Sequence, residues 1–224
     1  MKTLFLIFLC SVAAYSQAAA EANSGYKTEE QRARMAQTLG DPHRDTTQRP
    51  DALVKAIGLK PGMSVADIGT GVGFMLPYLS AAVGDKGTVL AEDIFPDFLA
   101  KAKAHAETKQ LRNVSFVLGG ERDPKIGENR FDRILILDVY HHFDYPAEML
   151  RAVHAALKPG GQLAICDYYK RRGAMGGADS DRAISHIRLD EAEMIKELAA
   201  NGFELVNSSE FNPKSQYLAL FKKR

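Results

Sequence analysis

The sequence predicts a doubly wound α/β domain, and three observations carry that expectation. Apolar runs of strand length alternate with segments of helical period from residue 50 to near the end of the chain. The run "RILIL" is apolar on both parities, as a strand buried on both faces of a parallel sheet must be. A glycine-rich turn follows the first of these runs and leads into a helical segment, as in a βαβ unit.

Ahead of this pattern, "YKTEEQRARMAQTL" has a weak helical period, and "GDPHRDTTQRP" is dense in turn formers. "PDALVKAIG" reads as a short helix with Pro50 in its first turn and Gly58 just past its end. The strand runs are "SVADI", "GTVLAED", "NVSFVL", "FDRILILD" and "QLAICD". The helical segments between them are "GFMLPYLSAAV", "PDFLAKAKAHAETK" and "YPAEMLRAVHAAL". "KPGG", residues 158–161, is expected to turn the last of these helices into the next strand, because Pro159 cannot continue a helix. The tail, "DEAEMIKELAANGFELVNSSE" and "SQYLALFKK", adds a helix and two strands close enough to pair antiparallel. One long irregular stretch remains, "YYKRRGAMGGADSDRAISHIR", residues 168–188, and long loops in compact domains are often functional. In it "YKRR" suits an anionic substrate and "GAMGG" a hinge, against the alternative of a plain solvated loop.

With 224 residues, 46% hydrophobic and 25% charged, the chain is long enough for one well-cored domain. A net charge of +1 and the lack of a basic stripe argue against nucleic acid as the main partner. Residues 1–20 follow the plan of a secretory signal peptide: Lys2, an apolar stretch, then "AAA" before Glu21. The apolar stretch is too short for a membrane span, which needs about 20 residues, so no stable span is expected after cleavage. The expected organisation is therefore a signal at 1–20, a helical and turn extension at 21–49, and the α/β domain at 50–224. The mature protein is expected outside the cytoplasm, or within it if the signal reading fails. Cleavage after Ala20 removes Cys10 and leaves Cys166 as the only thiol, so core packing and not a disulfide must hold the fold.

In "VADIGTGVGF" an apolar strand ends in Asp67 and runs into Gly69, Gly71 and Gly73 ahead of a helix. Glycines in such a turn let a ligand lie against the backbone beside a helix N-terminus. The spacing is G-x-G-x-G, with Phe74 at the sixth position, whereas the dinucleotide fingerprint is G-x-G-x-x-G. About 20 residues on, the next strand ends in Asp93, the distance at which an acid accepts from a ribose diol in a doubly wound fold. Loop and acid together argue for an adenosine-type ligand.

At these residues the sequence resembles the class I S-adenosylmethionine-dependent methyltransferases. The resemblance runs from Pro50 to Phe221 and rests on "VADIGTGVGF", "GTVLAEDIFPDFL", "FDRILILDVYHHF" and "LKPGGQLAICD", four motifs in the family's order and spacing. It implies a Rossmann-like seven-stranded sheet with the last strand antiparallel, and S-adenosylmethionine as cofactor. It further implies that Asp67, Gly69, Thr70, Gly71 and Gly73 hold the methionine part and that Asp93, with Ile94 beside it, takes the ribose. The adenine contact falls in "LGGERDP", where Gly120, Glu121 and Asp123 are the candidates. The activity implied is methyl transfer to a small-molecule acceptor.

The stretch "LDVYHHF" ends the "RILIL" strand at the carboxyl edge of the sheet, where ligands of doubly wound folds sit. Asp138 is expected to line the cleft and to bind the cofactor near its methionine part. His141, His142 and Tyr140 are the candidates for a general base or a substrate contact, the alternative being that both histidines belong to the scaffold. A base is needed only if the accepting atom carries a proton. No metal is expected, because adjacent residues of an extended segment point to opposite sides. Arg44, Gln48 and Arg49 either cover the cleft or are exposed. Two other functions fit the same fold. One is an exported, non-catalytic adenosyl-ligand-binding protein, since the cofactor is made in the cytoplasm while residues 1–20 direct export. The other is an NAD(P)-dependent oxidoreductase, against which the missing third fingerprint glycine argues.

Overall fold

The computed structural model describes residues 18–224. Its strands are Ser64–Ile68 (β1), Thr88–Asp93 (β2), Val114–Leu118 (β3), Phe131–Leu137 (β4), Leu157–Tyr168 (β5), Phe203–Asn212 (β6) and Gln216–Lys223 (β7). They form one sheet in the order β3-β2-β1-β4-β5-β7-β6. Neighbours from β3 to β5 are parallel, and β7 runs antiparallel to both β5 and β6. The seven-stranded, doubly wound sheet with its last strand antiparallel is thus the fold the sequence predicts.

The helices are Glu29–Leu39 (α1), Arg44–Gln48 (α2), Pro50–Ala56 (α3), Leu76–Val83 (α4), Pro96–Thr108 (α5), Pro146–Ala156 (α6), Arg182–His186 (α7) and Glu191–Ala200 (α8). Local chemistry sets several of their starts. Thr28 with Gln31, and Asp190 with Glu193, each close a capping box on α1 and α8. Proline stands in the first turn of α3, α4, α5 and α6, where its missing N–H costs no hydrogen bond.

Both faces of the sheet are covered. Ile134 and Ile136 pack with Leu150 and Val153 of α6 and with Met194 and Leu198 of α8. Leu135 and Leu137 pack on the other face with Leu53 of α3, Leu76 and Leu79 of α4, and Ala102 of α5. The double parity of "RILIL" is this two-sided burial.

Two expectations change. Residues 158–161 are not a turn before β5 but a bulge within it: Leu157 pairs with Phe131 and Gln162 with Arg133, so four residues oppose the single Asp132. Lys158 Nζ closes the excursion by donating to Asp132 Oδ2 at 2.7 Å. The irregular stretch at 168–188 contributes Tyr168 to β5 and contains α7. Of the signal reading, only Ala18–Ala20 fall within the described residues; Cys10 and the apolar stretch lie outside them. Among the described residues no helix is long and apolar enough to cross a membrane.

Candidate active site

A cavity of about 380 Å³ opens at the carboxyl ends of β1, β2 and β4, within the roughly 300–1,000 Å³ typical of small-molecule sites. The glycine loop forms its floor. Gly69, Gly71 and Gly73 all have positive φ, at 70°, 57° and 84°. At Gly69 a Cβ would stand 2.5 Å from Val139 Cγ1, so the loop closes on the β4 turn only because that atom is absent. Gly69, Thr70 and Gly71 line the cavity, whereas Gly73 does not. A Cβ at Gly73 would meet Leu76 and Ala102, so helix packing itself requires a glycine there.

Three carboxylates fix the loop. Asp67 accepts from Thr70 Oγ1 at 2.7 Å. Asp93 accepts from the N–H of Gly71 at 2.8 Å and of Phe95 at 2.9 Å, tying the loop to the end of β2. Glu92 accepts from Gly69 N at 3.2 Å through Oε2, while its Oε1 is buried without a partner. Asp67, Glu92 and Asp93 all line the cavity, together with Ile94, Gly120, Glu121 and Asp138. Asp123 does not; it pairs with Gly120 across a tight turn and shapes the backbone there.

Asp138 is the most tightly held of these groups. Its φ of 57° is unusual for a residue other than glycine and costs free energy that its partners must offset. Gln48 donates to its Oδ2 at 2.7 Å, Gln216 donates to its Oδ1, and Arg44 stands 3.7 Å away. Arg44 also lies over Phe74 at 4.5 Å and lines the cavity, so Arg44 covers the cleft, whereas Gln48 is buried behind it and holds Asp138. Arg49 instead reaches out to the carbonyl of Phe211 at the surface.

The left-handed turn at Asp138 ends the extended segment, and with it the reason for placing adjacent histidines on opposite sides. Tyr140–His142 is a 3-10 turn in which the rings of His141 and His142 lie side by side, 4.1 Å apart. His141 is buried and its Nδ1 meets Asp167 Oδ1 at 2.7 Å. His142 lines the cavity. Tyr140 is turned away from it. Its hydroxyl donates to Glu197 beneath the sheet, and its ring packs under Arg188, so it is not placed to touch a ligand. Tyr140→Phe is expected to cost about 1 kcal/mol of stability and to leave ligand affinity unchanged, as read by denaturant unfolding beside a calorimetric titration.

The extension before the α/β domain supplies residues that carry no sequence signal. Ala20, Asn23, Tyr26, Lys27, Arg32 and Leu39 wall the cavity on one side. Tyr26 stacks on Phe95 with ring centroids 5.9 Å apart and meets His142 edge-on at 5.1 Å. Asn23 and Ala19 both donate to the carboxylate of Asp144, which also faces the cleft.

Burial raises the acids of this cleft. It pushes Asp67 up to about 7, and Asp93 and Asp138 each to about 6, and it holds Glu92 well above the usual carboxylate range. Folded values above the unfolded one mean stability that is present below about pH 4 and lost as pH rises through 6 to 7. Asp67→Asn is therefore expected to flatten that decline and to raise Tm at neutral pH, at roughly 2–4 °C per kcal/mol recovered. Melting curves of both proteins from pH 4 to 8 check this, and parallel curves would refute it.

Such a donor set fits a cationic ligand that carries hydrogen-bond donors. A sulfonium and an ammonium favour the ionised carboxylates, and a donor to Glu92 Oε1 would satisfy the one buried acceptor in the wall that lacks a partner. Strand order, glycine loop and the acid ending β2 together are those of a methyltransferase-type α/β fold. Residues 66–165 match the family model described as a methyltransferase domain. A solved S-adenosylmethionine-dependent methyltransferase from Aquifex aeolicus is 29% identical with a TM-score of 0.76, covering 84% of this chain and 96% of its own. The ubiquinone/menaquinone biosynthesis C-methyltransferase UbiE of Shewanella sp. (strain W3-18-1) is 31% identical over 118 residues. That match takes in 52% of this chain and 47% of the relative, so the chain spans about half the length of the curated relatives it matches. The [4+2]-cyclase SpnF, 20% identical with a TM-score of 0.60 over 71% of this chain and 60% of its own, shares the fold alone. These findings support a class I S-adenosylmethionine-dependent methyltransferase, and S-adenosylmethionine is the cofactor to which they point.

Proposed function

We propose that the chain transfers a methyl group from S-adenosylmethionine to a small organic acceptor. The single observation that carries this reading is the cavity in which the glycine loop, Asp93 and Asp138 converge under a wall built by the N-terminal extension. A fold shared with a cyclase does not fix the reaction, which depends on the residues of the site.

Asp67, Thr70 and Gly71 would hold the methionine part, Asp93 with Ile94 the ribose, and Gly120 and Glu121 the adenine. The cofactor supplies a methyl group activated on a sulfonium sulfur. This chain supplies position and exclusion of water, the larger part of what such a transfer needs. The apolar side chains Val139, Phe143 and Met149 line the same cavity beside His142 and suit a compact, partly apolar acceptor. The C-methyltransferase relatives lend support to an acceptor of that class. Of the three catalytic candidates, His142 is the one at the cavity wall, and His141, itself held by Asp167, packs against its ring. We also propose export directed by residues 1–20. Cell fractionation with N-terminal sequencing tests this, and an uncleaved protein found in the cytoplasm would refute it.

Calorimetric titration of the purified chain with S-adenosylmethionine is expected to show one site. Incubation of the loaded protein with labelled cofactor and a panel of small quinones, phenols and amines is then expected to move label to one of them. Absence of cofactor binding would overturn the reading.

A further inference from the structure

We propose that His141, His142 and His186 form a binding site for a borderline divalent cation of the Zn²⁺ class, beside the cleft and distinct from the carboxylates that line it. Each of the three imidazoles offers a ring nitrogen within 4.8 Å of the other two. Ring centroids lie 4.1 Å apart for His141 and His142, 5.1 Å for His141 and His186, and 5.4 Å for His142 and His186. Zn–N bonds of about 2.0–2.1 Å set tetrahedral ligand nitrogens roughly 3.4 Å apart. A closure of no more than roughly 1.4 Å therefore completes the set. His186 ends α7, a helix of five residues within the long segment between β5 and α8, and such a short piece can follow the metal.

The partners behind the rings fix which nitrogen is available. Asp167 Oδ1 lies 2.7 Å from His141 Nδ1, and a carboxylate there keeps the proton on Nδ1 and the lone pair on Nε2. Asp167 is itself pinned by the N–H of His141 and of Tyr168. For His142 the same follows in two steps. Asn23 Nδ2 donates to the carbonyl of His142 at 3.0 Å and to Asp144 Oδ2 at 2.9 Å, which orients the amide. Its Oδ1 then faces His142 Nδ1 at 2.8 Å, so that nitrogen carries the proton and Nε2 is bare. Carboxylate or carbonyl behind Nδ1 and a free Nε2 in front is how metal-bound histidines are oriented.

Two of the three imidazoles therefore keep Nε2 free for a cation. Neutral imidazoles without thiolate or carboxylate in the first shell suit Zn²⁺, Co²⁺, Ni²⁺ or Cu²⁺ and disfavour Mg²⁺ and Ca²⁺. Three protein ligands leave a fourth position for water or for a Lewis base. A bound ion would also clip the 168–188 segment to the Tyr140–His142 turn and, through Asn23, to the N-terminal extension.

The test is a calorimetric titration of the metal-stripped, untagged full chain with ZnCl₂ in a buffer that does not chelate. One saturating site per chain is expected. His186→Ala and His141→Ala are each expected to weaken it at least tenfold, as is Asp167→Asn. Co²⁺ as a second probe is expected to give the visible absorption of a tetrahedral ion, lost in His186→Ala. Circular dichroism confirms that the variants fold, and wild type alone suffices if they do not. Titration with S-adenosylmethionine on the same preparations reads the proposed methyltransferase site separately, so either reading can fail alone. A wild-type chain with no saturable Zn²⁺ binding, or affinity equal in wild type and His186→Ala, would overturn the proposal.

Discussion

Asp93→Ala is expected to lower the affinity for S-adenosylmethionine by at least about 100-fold, near 2.7 kcal/mol, with the fold retained. The carboxylate has two tasks. It accepts from the N–H of Gly71 and of Phe95, holding the glycine loop against the end of β2. Asp93 also lines the cavity, where a ribose diol would donate to it. Hydrogen bonds to a charged acceptor contribute about 1.5–3 kcal/mol each, so losing the ligand's share alone accounts for the drop. Titration calorimetry reads the effect, and affinity within threefold of wild type would show that the ligand does not engage this acid. Asp93→Asn keeps the shape and one acceptor oxygen, so it should fall between the two.

Gly69→Ala is expected to destabilise the chain by about 2–4 kcal/mol and to abolish ligand binding. A φ of 70° disfavours any side chain, and the new Cβ would stand 2.5 Å and 2.7 Å from the two methyls of Val139. One of the two, loop or turn, must move, and both line the cavity. A second change, Val139→Ala, removes both methyls and should restore part of the stability, leaving the cost of the backbone angle. For a domain of this size the single change corresponds to a fall in Tm of roughly 5–15 °C. If the double variant melts with the single one, the clash is not the cause.

The sheet was legible because its signals are local. Double parity in "RILIL", Pro50 in the first turn of α3 and the glycine-rich turn after the first strand are each set within a few residues, and each appears in the structure as predicted. What could not be read is what depends on contacts across the chain. Asn23 meets His142 over 119 residues of sequence, and Gln216 meets Asp138 over 78. No local pattern distinguishes either from an ordinary surface amide. The histidine pair failed for a different reason. Its side assignment assumed that β4 stays extended beyond Asp138, and a left-handed aspartate, uncommon outside glycine, reverses the chain there. Glu92 stands beside the acid that ends β2 and has no spacing signal of its own, although an acid in a strand otherwise buried at that end is itself a signal.

The clamp on Asp138 joins Gln48 of α2 to Gln216 of β7 on one carboxylate, so the two ends of the domain meet at the cleft floor. The extension, through Asn23 and Tyr26, also walls the cavity. A ligand in the site would therefore be held by the extension as well as by the α/β domain, so loosening the extension would shorten the time it stays bound.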